Sequence, residues 1–210
     1  MRGAICLFHT SDYHNFASRK GKFRMKKIIL MSNSPRRREL LSKLGYEFEI
    51  RQSECVDESY PSSLAPEEVP LYLAIKKAPA YVEIPDEVVI TADTVVVIDD
   101  RILGKPVDDS DAKAMLRCIS GRTHRVVTGV CIKDSERQSA FSVYTDVTFK
   151  QLTDEEIAFY VERYHPMDKA GSYGIQEWIG YIGVTSINGS YFNVMGFPVQ
   201  RVYEELQKFL

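Results

Sequence analysis

At 210 residues the chain has room for one large domain or for two small lobes sharing a sheet. Its composition, 44% hydrophobic and 27% charged, is that of an ordinary globular protein and argues against extensive disorder. A formal net charge of −2 gives no general attraction to nucleic acid or to an anionic membrane, so an anionic ligand must be held by a few placed cations.

In chain order, the first 24 residues stand apart. They carry Arg19, Lys20, Lys22 and Arg24 against a single acid, Asp12, and their apolar run is too short for a secretory signal. We read 1–24 as a leader, disordered and outside the fold, ahead of a start at Met25; an organelle transit peptide is the alternative. Residues 27–31 form a short buried strand that runs into Ser32-Asn33-Ser34, and Pro35 then opens a helix with the serine before it as cap. Leu40, Leu41 and Leu44 make the apolar stripe of that helix, and Gly45 ends it. Phe48 and Ile50 alternate as a second strand, followed by a polar loop with Asp57 and Glu58. Pro66 opens a helix that carries Lys77, with Pro70 in its first turn and Pro79 ending it.

Residues 88–98 are the most strand-like in the chain, with an expected interruption at 91–94. Asp99-Asp100 makes a turn into Ile102-Leu103 and Gly104-Lys105-Pro106. A helix over 110–119 turns Ala114 and Met115 inward. Residues 126–132 and 141–149 form a hairpin, and Thr153 with Glu156 makes a capping box for a helix ending near Arg163. Residues 168–176 are glycine-rich and irregular. Asn188-Gly189 predicts a hairpin between 183–187 and 191–195, and Pro198 starts the last helix. The mixture of isolated strands, helices and hairpins indicates a mixed α/β sheet. The four cysteines have neither CxxC pairs nor repeated spacing, which argues for reduced thiols rather than zinc or disulfides. No apolar run approaches the roughly 20 residues needed to span a bilayer, so a soluble protein is expected.

Two places carry chemistry. Ser32 to Arg37 combines hydroxyls, the free amides of a helix start and two guanidiniums, all suited to phosphate oxygens; a capped helix with solvated arginines is the alternative. Asp93 sits within an apolar strand, where a carboxylate is costly unless it is paired, binds metal or serves function. Splitting a phosphoanhydride needs an activated water and neutralised phosphate oxygens. Glu58 and Asp93 have the hard oxygens for a divalent cation, and Arg36, Arg37, Lys77 and Lys105 supply positive charge. His124 and His165 have no partners at metal-ligand spacing and are read as structural or exposed.

These residues fall in a familiar order. Ser32-x-Ser34-Pro35-Arg36-Arg37 is followed by Asp57-Glu58, Lys77-Ala78, Ala92-Asp93-Thr94, Gly104-Lys105-Pro106, Ser120-Gly121-x-Thr123-His124, Asp168-Lys169-Ala170-Gly171 and Tyr173-Gly174-Ile175-Gln176. From Met25 to the C-terminus the chain resembles the Maf-like nucleotide pyrophosphatases, once called septum-formation proteins. The resemblance implies one elongated α/β domain over 25–210, with a mixed sheet similar to that of inosine triphosphate pyrophosphatases and two lobes flanking a substrate cleft. It implies hydrolysis of a nucleoside triphosphate to the monophosphate and pyrophosphate, aided by Mg or Mn. Asp93 matches the general base, Arg37, Glu58, Lys77 and Lys105 match charged active-site positions, and Ser32 and Ser34 match the phosphate-cradling turn. Arg36, Thr94 and Gln176 match positions tied to base choice in the branch acting on dTTP and UTP, with modified pyrimidine nucleotides as further substrates. A glutamine amide offers donor and acceptor together, as the imide edge of uracil or thymine requires.

Asn33 stands where alanine or glycine is common in the family, and a turn tolerates it. The expectation is a cytoplasmic enzyme with no nucleic-acid or membrane partner, and the resemblance suggests a homodimer. The other readings are a nucleotide-binding regulator of division without catalysis, or a 7-methyl-GTP pyrophosphatase.

Overall fold

The computed structural model describes residues 26–51, 57–78 and 86–210, so the expected leader at 1–24 and Pro79 lie outside the described residues. Strand β1 (Lys27–Met31) buries all but its first residue. It leaves the sheet at Ser32, and Ser34 caps α1 (Pro35–Ser42) by accepting the Arg37 amide at 3.4 Å, with Pro35 in the first turn. Leu40 and Leu41 face the core. Strand β2 (Phe48–Arg51) then returns parallel to β1, with Phe48 opposite Ile28.

Helix α2 (Val69–Lys77) starts later than Pro66, because a local turn occupies 66–68: the Glu68 amide donates to the Ala65 carbonyl, and the Glu68 carboxylate accepts the Ala65 amide. Strand β3 (Glu87–Ile98) runs straight through the expected interruption at 91–94. Polar residues persist there because each finds a partner; the buried Thr91 hydroxyl donates to the Ala74 carbonyl of α2 at 2.6 Å. Asp99 and Asp100, at φ 49° and 55°, turn the chain into β4 (Arg101–Leu103).

In α3 (Asp109–Ile119) the buried stripe is Ala112, Leu116 and Ile119; Ala114, expected inward, is exposed, and Met115 is only half-buried. Strands β5 (Thr123–Lys133) and β6 (Gln138–Phe149) form the expected hairpin, and α4 (Asp154–Tyr164) begins with the Thr153–Glu156 capping box. Residues 168–177 are irregular apart from one 3-10 turn at Ala170–Ser172, and lead into α5 (Trp178–Gly183).

The second expected hairpin does not form. Strand β7 (Val184–Asn188) pairs with β6 instead, and the segment after Asn188-Gly189 is a short helix, α6 (Tyr191–Val194). Ser190 caps α6 through the Asn193 amide, and the buried Asn193 amide group donates to the Val126 carbonyl at 3.2 Å and to the Thr145 hydroxyl at 3.0 Å. Those partners lie deep in the sheet and outweigh a local turn preference. Helix α7 (Val199–Leu206) closes the chain.

The result is a mixed α/β fold on a seven-stranded sheet ordered β2-β1-β3-β5-β6-β7, with β4 beside β3. One face of the long strands carries two separate cores. Val88, Ile90, Ala92, Val130 and Ile132 pack with α1 and α7. Val96, Ile98, Val126, Val147 and Phe149 pack with α3 and α4. Between them the same face is polar, where Thr94 meets Thr128 at 3.0 Å. On the opposite face Gly129 lets α2 approach the sheet: a Cβ there would lie 2.3 Å from the Leu71 nitrogen.

Candidate active site

The edge of β3 facing β1 and β4 is incomplete. Strand β1 pairs with β3 as far as Thr91, and β4 takes up pairing again at Val96. Residues 92–95 have no strand neighbour on that side, and a cleft of about 680 Å³ opens over this gap. The break explains how Asp93 and Thr94, whose side chains leave opposite faces of a strand, both line one cleft. Ser32, Ser34, Arg36, Arg37, Glu58, Lys77, Lys105 and Gln176 line it as well, so all ten residues singled out in the sequence meet there.

The acidic side is organised by one ammonium. Lys77, at the last turn of α2, lies 2.8 Å from Asp93 Oδ1 and 2.8 Å from Glu58 Oε1. Asp93 is 17% exposed and Glu58 63%, so one carboxylate is held within the fold while the other stands at the rim. The Lys77 hydrogen bond, with Lys105 and Arg37 nearby, holds the Glu58 carboxyl below its usual range. The neighbouring Asp57 turns away from the cleft, accepting the Ser59 hydroxyl and amide and, at 3.0 Å, Lys76; these bonds lower its pKa to about 2.

Arg37 holds the opposite wall together. Its Nε donates to the Gly196 carbonyl at 2.9 Å, Nη1 to the Ala92 carbonyl at 2.8 Å and Nη2 to Thr94 Oγ1 at 3.0 Å. Burial pulls its pKa below the usual arginine value, against the attraction of Asp93. Three of the five N–H groups of the guanidinium are therefore committed to the protein. Ser32 is buried and its hydroxyl accepts the Ser34 amide at 3.2 Å.

Arg36 reaches across to Asp168, Nη1 to Oδ2 at 2.6 Å. Burial works to raise the Asp168 pKa, but the Lys169 and Arg36 hydrogen bonds outweigh it and bring it down to about 2. Among the described residues, Lys105 is the one charged group of the cleft with no ion-pair or hydrogen-bond partner, although its charge acts on Glu58. The Gln176 Oε1 is buried with no partner either.

Several lining groups were not assigned roles from sequence. Asp168 and Lys169 appeared only as part of a motif, and the Gly196 carbonyl left no side-chain signal at all. Tyr173 lines the cleft from below, and its hydroxyl meets His124 Nε2 at 2.7 Å.

The Maf-like protein family model matches residues 27–209. The chain belongs to that family. A dTTP/UTP pyrophosphatase of Phocaeicola vulgatus is 58% identical over 184 residues, covering 87% of this chain and 95% of the relative. One from Porphyromonas gingivalis is 56% identical over 187 residues (87% and 94%), and one from Flavobacterium psychrophilum is 47% identical over 184 residues (87% and 94%). Among solved structures, the Staphylococcus aureus Ham1 protein is 12% identical with a TM-score of 0.49, covering 87% of this chain and 100% of that one.

Proposed function

We propose that the chain hydrolyses dTTP and UTP to the monophosphate and pyrophosphate in the gap of the β3 edge, with Asp93 as general base. The observation that carries the mechanism is the pairing of Asp93 and Glu58 through Lys77 in the cleft that the cap of α1 also lines. The names of relatives at 47–58% identity support this substrate class over a non-catalytic regulator or a 7-methyl-GTP pyrophosphatase.

In this reading the triphosphate lies along the turn at 32–34. Pro35 has no N–H and Ser34 takes the Arg37 amide, which leaves the Arg36 N–H and the helix dipole to favour negative charge there. Lys105, which has no hydrogen-bond or ion-pair partner, and the remaining N–H groups of Arg37 neutralise phosphate oxygens. The free Oδ2 of Asp93 takes a proton from water as that water attacks, and the anhydride link between the α- and β-phosphates breaks. Lys77 holds Asp93 and Glu58 in place at the cleft. The nucleobase reaches Thr94, Arg36 and Gln176, whose unpartnered Oε1 and amide N–H₂ suit the imide edge of a pyrimidine.

The donor type suits a hard divalent cation: Asp93 and Glu58 both line the cleft with carboxylate oxygen, each binding Lys77 through one of its two oxygens. No group of three His, Cys, Asp or Glu among the described residues could hold one unaided, so Glu58 and Asp93 would share Mg or Mn with substrate oxygens. Such an ion supplies charge neutralisation on the phosphates. No helix among the described residues is long and apolar enough to cross a membrane.

The test is release of pyrophosphate from dTTP, UTP, CTP and 7-methyl-GTP, each with Mg or Mn. Release from dTTP and UTP ahead of the other two is expected; none from either would end this reading.

A further inference from the structure

Residues 168–177 carry Gln176 without the support of a regular element, yet they are held by a continuous chain of charge contacts. Arg36 Nη1 binds Asp168 Oδ2 at 2.6 Å and its Nη2 reaches the Asp168 carbonyl at 3.4 Å. Asp168 Oδ1 meets Lys169 Nζ at 2.7 Å, and Lys169 meets Glu177 Oε1 at 3.1 Å. The other oxygen of Glu177 accepts the Tyr160 hydroxyl, and that hydroxyl in turn accepts the Gly174 amide at 3.0 Å. Lys169 is buried and Tyr160 fully so.

Packing against this chain leaves no slack. A Cβ on Gly174 would stand 2.8 Å from Glu177 Cδ and 3.0 Å from Lys169 Cε, so the segment presses directly on the ion pair. Its first link crosses the cleft: Arg36 belongs to the helix packed on one core, whereas Tyr173 and Ile175 belong to the other. Its last link, Glu177, follows Gln176 directly in sequence. Neither Glu177 nor Tyr160 is among the residues lining the cleft. Any effect they have on substrate must therefore pass through the segment they hold.

We propose that Tyr160, Glu177, Lys169 and Asp168 form a positioning chain that fixes Gln176 and Arg36 relative to each other, making Glu177 and Tyr160 determinants of base specificity that touch no substrate. This rests on the reading that Gln176 and Arg36 face the nucleobase. A buried amide discriminates among bases only if it is held in place, since a free side chain turns to suit either hydrogen-bonding pattern. Alternating charges along the chain also keep each ion paired when the cleft is empty.

The experiment is steady-state kinetics on UTP, dTTP and CTP for wild type, Glu177→Gln, Tyr160→Phe and Gln176→Glu, with a urea midpoint for each. Glu177→Gln is expected to raise KM for UTP and dTTP about tenfold, to change kcat less than about threefold, and to cut the UTP-to-CTP preference about tenfold. Tyr160→Phe keeps the ring and should move the same quantities in the same direction by less, and it carries the test if Glu177→Gln does not fold. A purely structural role would shift the urea midpoint and lower kcat equally for every base; that pattern overturns the proposal. So does an unchanged UTP-to-CTP preference in Glu177→Gln beside an altered one in Gln176→Glu. Failure of the underlying reading shows separately, as unchanged preference in Gln176→Glu or as no wild-type turnover of UTP or dTTP.

Discussion

Two charge networks flank the cleft, and they are built on opposite plans. On the acidic side, Lys77 bridges Asp93 and Glu58, one carboxylate within the fold and one mostly in solvent, and each keeps an oxygen free of the ammonium. On the other side, Arg36, Asp168, Lys169 and Glu177 run as a closed series that ends on the buried Tyr160 hydroxyl. The first arrangement leaves capacity for water, phosphate or a cation; the second has directed its charges mostly at one another. Groups that must change partners during a reaction gain from incomplete satisfaction, while groups that must hold a shape gain from saturation.

The contrast can be broken in several ways, ordered here by expected effect. Asp93→Asn keeps the shape but removes the proton acceptor, and should lower kcat by about 10² to 10⁴; pyrophosphate release near the wild-type rate would refute its role as base. Gly129→Ala attacks the acidic side through packing. A Cβ 2.3 Å from the Leu71 nitrogen must push α2 outward and carry Lys77 with it. A loss of about 1–3 kcal/mol in urea unfolding and a drop of about tenfold or more in kcat are expected together.

The closed side can be probed through His124, which lies beneath Tyr173. Burial lowers the His124 pKa to about 4, against the attraction of Asp146. An unfolded histidine titrates near 6.5, so as pH falls below that value the unfolded chain takes up a proton that the folded chain refuses until about pH 4. This group therefore adds stability above pH 6.5 that drains away toward pH 4, at up to about 1.4 kcal/mol per pH unit. Urea midpoints between pH 7.5 and 4.5 should fall more steeply for wild type than for His124→Gln; parallel curves would contradict the assignment. The smallest effect belongs to Asp57→Ala, which removes an exposed pair with Lys76 and should leave activity within about twofold and the urea midpoint close to that of wild type. A large loss would mean that Asp57, and not only Glu58, belongs to the reactive side.

Much of the site was legible because local chemistry carried it. The cap at Ser34, proline at the start of α1 and two arginines in its first turn suggested an anion site; the cap, the proline and both arginines stand at the cleft. Asp93 stood out as a carboxylate within an apolar strand. The roles of the two arginines were less legible. Arg37 has the residue type of a phosphate ligand, yet three of its donors tie Gly196, Ala92 and Thr94 together. Nothing near Arg37 in sequence announces a partner at position 196. The misread segments have the same cause: Asn188-Gly189 resembles a hairpin turn, but Asn193 finds deeper partners in Val126 and Thr145.

By itself the sequence determined which residue types were on hand: the strand, turn and helix around Ser32–Pro35, the hairpin over 126–149, the capping box at Thr153, and the order of motifs that places the chain in its family. Those features depend on neighbours within a few positions, where propensity and periodicity act. Only the tertiary structure decided that β3 runs unbroken with a gap along one edge, that Lys77 is shared by two carboxylates, and that a closed ionic chain holds the segment bearing Gln176. Each of these is a contact between residues far apart in the chain, fixed by how two cores and one helix pack on a common sheet.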